Sequence, residues 1–382
     1  MKATLSLTHN CNLRCKYCYA GRAVKTDMSS ATARKIVDFV TDAAVPARQA
    51  QFSFFGGEPL LRFDLIKETT AYIRHKEQES GIRAVISLTS NGTLLAEPML
   101  DFFSKERVNL CISMDGPEQS HNLNRIYKDG RGSFAAVAKK LRMALDKLEN
   151  VQVNAVYGPE TLDSMADTVA FFTAQRVPFI HLNPNIRAAW TAEDLAKLPQ
   201  VCMSIAEHYI QCYQRGQEIS VNMMESKLAL FLKNGYAPED RCGMGKTEWG
   251  FAPSGKIYPC ERLIGEDDDP ALCLGDIHTG FDPARRCDML ARKGNRNEEC
   301  RTCNMSKYCM NWCGCTNHHM TGDTELAGPM LCALERASVK AAEHVFITLS
   351  QSGNELFIDH LMRSLCKGRT IISNQQHEGG AA

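Results

Sequence analysis

Close to the N-terminus, Thr8-His9-Asn10-Cys11-Asn12-Leu13-Arg14-Cys15-Lys16-Tyr17-Cys18-Tyr19 sets three thiols at C-x3-C-x2-C spacing, directly after a short apolar run, Leu5-Ser6-Leu7. No other stretch constrains the chain as strongly. Iron–sulfur cubes are usually held by four Cys thiolates, one per iron. Three such thiols with no fourth nearby describe a cube with one iron left open to bind something else. A zinc knuckle completed by His9 is the other arrangement this spacing allows.

The chain holds 17 Cys in 382 residues. The count is odd and the thiols are clustered, which suits metal ligation in a reducing cytoplasm better than a disulfide scaffold. Hydrophobic content of 44% and charged content of 23% are those of an ordinary globular protein. With net charge +0, nothing argues for capture of nucleic acid or of an anionic membrane surface. No apolar run reaches the length of a membrane span, and the first residues read as a strand rather than a signal peptide.

From residue 4 to about 215, short β-branched runs alternate with segments of helical period. Strands are expected at 4–7, 51–55, 83–89, 108–113, 151–156 and 177–182. Helices are expected at 29–44, 63–79, 95–105, 133–148, 162–175 and 192–215, with Ser29 and Ser133 as N-caps. Six β–α repeats imply a parallel sheet with right-handed crossovers, whose chemistry collects beyond the C-terminal strand ends. From Pro238 to Cys332 the chain turns rich in Cys, Gly and Asp with thin apolar content, so metal ligation must contribute folding energy there. Helical spacing returns over 333–366, and the end from 373 reads as a frayed tail. The expected domains are 1–235, 236–335 and 336–382.

Phe54-Phe55-Gly56-Gly57-Glu58-Pro59 follows the second strand. Its glycines allow close backbone approach to a ligand, and Glu58 offers a carboxylate to an ammonium group. Together with Cys11, Cys15 and Cys18, this motif makes the chain resemble a radical S-adenosylmethionine (SAM) enzyme with a partial (β/α)6 barrel. The resemblance implies that SAM chelates the open iron of a [4Fe-4S] cluster. Reductive cleavage would then give a 5′-deoxyadenosyl radical that abstracts hydrogen from substrate. It also implies that Ser113, in Ser113-Met114-Asp115-Gly116-Pro117, and Arg125 hold the SAM carboxylate, a pairing suited to a guanidinium fork plus a hydroxyl. Tyr17, Asn91, Gly56, Gly57, Glu58 and Pro59 complete the expected cofactor contacts.

The second half is similar to a SPASM domain, a Cys-rich module with two auxiliary iron–sulfur clusters. Cys242, Gly255 and Cys260 fit C-x12-G-x4-C, followed by Cys300-x2-Cys303-x5-Cys309-x3-Cys313 and by Cys332. By that resemblance Cys300, Cys303, Cys309 and Cys332 hold an outer cluster, and Cys242, Cys260 and Cys313 an inner one. Three [4Fe-4S] clusters are thus expected. Residues 236–241 lack the extra Cys of fuller family members. Either the inner cluster keeps an open iron, or Cys273, Cys287 or Cys315 closes it. Glu261, beside Cys260, is the candidate proton acceptor by that resemblance, with Asp115 and Asp276 as competitors. The resemblance implies oxidation or thioether or carbon–carbon cross-linking of a peptide or protein side chain. A flavodoxin or ferredoxin reductant is the expected partner; for the peptide, a separate leader-recognition protein, a motif in a larger protein and direct docking to the barrel all stay open. A dehydrogenase of a small molecule and a non-catalytic electron-transfer protein are the other classes such a chain could belong to.

Overall fold

The computed structural model describes residues 1–21, 24–292 and 294–366, so the tail expected from 373 lies outside the described residues. In chain order the elements are β1 (Lys2–Ser6), α1 (Ser30–Ala44), β2 (Gln49–Phe55), α2 (Phe63–Ser80), β3 (Arg83–Ser90), α3 (Glu97–Glu106), β4 (Val108–Ser113), α4 (Glu118–Asn124), α5 (Phe134–Lys147), β5 (Gln152–Tyr157), α6 (Met165–Ala174) and β6 (Phe179–Pro184). There follow α7 (Ala192–Gln214), β7 (Ser220–Val221), α8 (Asn222–Lys233), β8 (Glu248–Phe251), β9 (Lys256–Tyr258), β10 (Gly275–Asp276), β11 (Gly280–Phe281), α9 (Pro283–Ala291), α10 (Gly314–Thr321), α11 (Pro329–Gln351) and α12 (Glu355–Cys366).

The six expected β–α repeats are present, giving an α/β fold with an open sheet. Strand β6 starts later than expected because Val177 is used in the turn that closes α6. Arg176 takes a left-handed conformation, φ 59°, and the Val177 N–H donates to Phe172 O at 3.1 Å. Ser29 caps α1 as expected, its Oγ accepting from the Thr32 N–H at 3.0 Å. Ser133 does not cap α5 through its side chain. Its hydroxyl instead donates to Arg125 O at 2.9 Å and meets the His121 ring at 2.9 Å. The expected helical stretch 333–366 is two helices, broken at Gly353, whose φ of 63° suits glycine.

Two compact units share the chain. The first takes Met1–Met114, Glu118–Gln152 and the stretch from Gly243 through α9; the second takes Asp115–Pro117, Val153–Cys242 and the stretch from Gly294 onward. The Cys-rich 236–335 segment contributes to both.

In the first unit the strand order is β11-β10-β9-β8-β1-β2-β3-β4. Strands β8 and β1 to β4 are parallel neighbours, with Lys2 opposite Gln51 on one side and Glu248 on the other. One sheet face is apolar: Phe52, Phe54, Ile86, Leu88, Leu110 and Ile112 are buried beside α1 to α3. On the other face, alternation brings up Ser53, Ser87, Thr89, Asn109, Cys111 and Ser113, all half-buried. The Ser53 and Ser87 hydroxyls lie 2.7 Å apart there. A sheet packed on both faces would read apolar throughout, so this polar face is built to meet something other than a core. The second unit holds β5, β6 and β7 side by side, with α7 and α8 packed on α11.

Candidate functional site

The loop after β1 is fixed by backbone bonds at both flanks. Leu7 N–H donates to Phe55 O, Met28 N–H to Leu7 O and His9 N–H to Thr26 O, each at 2.9 Å. Thr8 Oγ1 donates to Asp27 Oδ1 at 2.5 Å and accepts from Asn10 N–H at 2.9 Å. Further along, Arg14 N–H reaches Ile126 O at 2.8 Å and Lys16 N–H reaches Asn124 O at 3.1 Å. Between these anchors stand Cys11 and Cys15, half-buried, and Cys18, exposed.

The turn after β2 presses against this loop. Gly57 N–H donates to Thr8 O at 2.8 Å and Glu58 N–H to Asn10 O at 2.9 Å. A Cβ on Gly57 would stand 2.2 Å from Asn10 O, and one on Gly56, φ 124°, would stand 2.4 Å from Thr8 O. The glycine pair is therefore required by the Cys loop's own backbone, where a ligand's approach was expected. Pro59 opens the short 3-10 turn that follows.

Glu58 is fully buried. Its Oε1 accepts from the Leu60 N–H at 2.9 Å and the Ser90 hydroxyl at 2.8 Å, and its Oε2 accepts from the Asn91 N–H at 2.7 Å. Burial pushes its carboxyl up to about 7, against the downward pull of those three donors. The side chain thus ties the end of β2 to the end of β3, and Oε2 keeps acceptor capacity.

Asn91 continues inward. Its Nδ2 donates to Asn12 Oδ1 at 2.9 Å and approaches Cys11 Sγ at 3.8 Å, while Leu13 N–H reaches the same sulfur at 3.4 Å. Asn12 Nδ2 in turn donates to Thr93 Oγ1 at 2.8 Å. Burial raises the Cys11 thiol to about 11. Two N–H groups on one sulfur is the environment a metal-bound thiolate wants, so these residues fit an iron–sulfur ligand. Asn12, Ser90 and Thr93 had no role assigned from the sequence, although Ser90 and Thr93 stand in the family-like stretch Thr89-Ser90-Asn91-Gly92-Thr93; only the pairing of β2 with β3 and of loop with strand end gives them one.

Arg125 is buried and stacks over the Tyr17 ring, 5.3 Å from its centroid. Cys111 lies within the electrostatic reach of Arg125, and burial pushes its thiol up to about 12. Ser113 ends β4 on the polar sheet face. Tyr19 stacks on Phe55, centroids 6.1 Å apart. After burial, the groups that shift it include Glu261, Arg262, Cys260 and Cys18, so the third thiol and the Cys260 loop share one neighbourhood. There Cys260 Sγ donates to Glu261 Oε2 at 3.4 Å. Asp115 belongs to the second unit, where its Oδ1 accepts from the Val156 N–H at 2.9 Å.

In the second unit Cys300, Cys303, Cys309 and Cys332 line one recess, with Arg336 and Glu335 at its wall. Arg336 Nη2 lies 3.8 Å from Cys303 Sγ and its guanidinium also bonds Cys332. Behind Cys309, buried Glu335 pairs with Lys227 at 2.6 Å and accepts from the Met310 N–H at 2.6 Å. Four thiols around a cavity with a cationic rim fit an anionic cluster. Among the described residues no three His, Cys, Asp or Glu side chains converge as ligands of one metal ion do; a cube instead takes its thiolates at separate irons. Cys313 Sγ lies 3.8 Å from Cys315 Sγ. Cys273 donates to Gly275 O at 3.2 Å and Cys287 is exposed on α9.

The profile of the radical SAM superfamily matches residues 5–172. An uncharacterised protein of Methanocaldococcus jannaschii is 33% identical over 283 residues, spanning 72% of this chain and 87% of the relative. The cysteine-type anaerobic sulfatase-maturating enzyme of Clostridium perfringens (strain 13 / Type A) is 23% identical over 342 residues, 83% of this chain and 89% of that one. The structure of native anSMEcpe with bound AdoMet and Cp18Cys peptide has the same fold, with TM-score 0.78 at 18% identity over 92% of this chain and 99% of its own.

Proposed function

This chain belongs to the radical SAM superfamily, and from that premise we propose that it oxidises or cross-links a side chain of a peptide or protein. The enzyme is of the radical SAM type, and membership implies SAM and a four-iron cluster. When bound, the pair supplies a hydrogen-abstracting radical. What carries the reading is the convergence of the Cys11–Cys18 loop, the Gly57-Glu58 turn, Asn91 and the Tyr17–Arg125 stack at the ends of neighbouring strands.

Each residue then has a task. Cys11, Cys15 and Cys18 hold the cluster, and the Asn91 amide steadies the Cys11 sulfur. Glu58 locks the two strand ends in register, and Ser113 and Arg125 grip the SAM carboxylate. Glu261, beside Cys260, is the proposed proton acceptor, with Asp115, whose Oδ1 accepts from the Val156 N–H, and Asp276 as its competitors. The recess of Cys300, Cys303, Cys309 and Cys332 holds the outer auxiliary cluster. Cys242, Cys260 and Cys313 serve the inner one, with Cys315 its nearest further thiol. Flavodoxin or ferredoxin supplies electrons, and a separate protein presents the leader. Support for a peptide substrate comes from the relatives: one matures sulfatases and another structure holds a peptide. The polar face of Ser53, Ser87, Thr89 and Asn109 suits a substrate with hydrogen-bonding groups.

Anaerobic reconstitution should give about twelve iron atoms per chain. With a reductant and SAM, the protein should then release 5′-deoxyadenosine and change the mass of its peptide, while Cys11→Ala releases none. Zinc in place of iron, or no 5′-deoxyadenosine, would overturn the reading.

A further inference from the structure

Two polar atoms of the second unit are sealed from solvent and meet no hydrogen-bond partner: the phenol oxygen of Tyr236 and the indole Nε1 of Trp312. Their rings stand edge to face, centroids 5.2 Å apart. Both atoms carry donor hydrogens, and a buried donor left unpaired bears its whole desolvation cost.

The backbone holds them in place. Tyr236 N–H donates to Lys307 O at 2.9 Å. Gly235, φ 116°, has no room for a Cβ, which would lie 2.9 Å from that same oxygen. The Lys227 ammonium, 5.8 Å from the Tyr236 centroid, is occupied by Glu335 and by Tyr308 O. Trp312 directly precedes Cys313. The charges that the Tyr236 phenol feels include those of Glu335, Cys309, Asp240 and Cys313. Neither ring lines the recess of the outer four thiols, and Trp312 is joined in sequence to Cys313, the ligand that the proposed function gives to the other auxiliary cluster.

We propose that the Tyr236 hydroxyl and the Trp312 indole N–H donate hydrogen bonds to sulfur atoms of the inner auxiliary cluster and hold its reduction potential up. Sulfur carries more negative charge in the reduced cluster, so a donor there favours reduction. The two are positioning residues that tune the cluster without ligating it. The proposal rests on Cys313 being a cluster ligand, as the proposed function has it.

The test is an electron-paramagnetic-resonance redox titration of the reconstituted full chain as wild type, Tyr236→Phe, Trp312→Phe and Cys313→Ala, with iron counted in each. Electron–nuclear double resonance in deuterated buffer reads exchangeable protons at the cluster. The inner signal is the one Cys313→Ala removes. Each Phe variant should keep its iron, move that signal's midpoint to lower potential and lose an exchangeable coupling. Full iron with midpoint and couplings unchanged would overturn the proposal, as would a shift confined to the other signals. Unchanged iron and signals in Cys313→Ala would instead remove the cluster reading on which it rests. Two separate ring-conserving substitutions keep the test decisive if one of them fails to fold.

Discussion

Gly57 shows how much one missing methyl group can organise. Its Cα lies against the Asn10 carbonyl, so Gly57→Ala must push the Cys loop away from β2 or break the Gly57–Thr8 hydrogen bond. Overpacking against backbone costs about 1–3 kcal/mol. The variant should melt earlier and retain less iron at the first cluster after reconstitution, with the Cys300–Cys332 iron unaffected; iron analysis and thermal denaturation check both. The motif containing Gly57 was legible in the sequence, yet its reason was not. Glycine next to a carboxylate reads as a ligand cradle, whereas the atoms it makes room for are Thr8 O and Asn10 O. Ser90 and Asn12 were illegible for a related cause. Hydroxyls and amides are common at strand ends, and only the register of β2 on β3 selects these as partners of Glu58 and Asn91.

Among the elements, α12 is held by one imidazole. His360 Nε2 lies 2.9 Å from Glu225 Oε2, and Nδ1 lies 3.1 Å from Glu218 Oε1. Tyr209 adds a 2.6 Å bond to Glu225, and Arg363 pairs with Glu218. Burial alone would lower the pKa of His360, but Glu225 and Glu218 outweigh it and raise it to about 10. The hydrogen bond from His360 leads in lowering Glu218 to about 2. A raised histidine stabilises fully below its unfolded value near 6.5 and loses that contribution as pH climbs toward 10. A lowered carboxylate stabilises above its unfolded value of 4.5 and loses that contribution as pH falls toward 2. Docking of α12 should therefore be firmest between about pH 4.5 and 6.5 and weaken on either side. Amide exchange of 355–363 across pH, corrected for intrinsic rates, reads this. His360→Ala should cost about 3 kcal/mol and flatten the profile. The alternation of β1–α1 through β6–α7 was legible because period 2 and period 3.6 alternate cleanly. Helix α8 was not, since its start carries no side-chain cap. The break at Gly353 is marked by that left-handed glycine and by Asn354, whose Oδ1 accepts from the Phe357 N–H at 2.9 Å, and only the continuous helical spacing on either side hid it.

At the scale of the molecule, packed core is unevenly spread. Between Met289 and Met330 the only buried apolar side chain among the described residues is Cys315. A segment with so little apolar burial depends on its ligands for stability. Chelating the iron should therefore abolish exchange protection over 295–328 while β1 to β4 keep theirs, as exchange mass spectrometry would show. A uniform loss across the chain would contradict the uneven core. Composition already marked the Cys-rich segment as poor in apolar residues. Its division between two units was hidden, because β8 joins β1 through a pairing of residues far apart in sequence, Lys2 with Glu248. No local pattern announces a contact of that span.

That pairing sets an order of events during synthesis. The Cys11–Cys18 loop is synthesised well before β8, the strand that covers the outer edge of β1, since β2 to β7 lie between them in the chain. Until then β1 is an open parallel edge and its neighbouring thiols stand bare to oxidants and stray metals. A cluster at Cys11, Cys15 and Cys18 should accordingly load only once β8 has paired with β1, and a chain truncated before Glu248 should retain less iron there than the full chain.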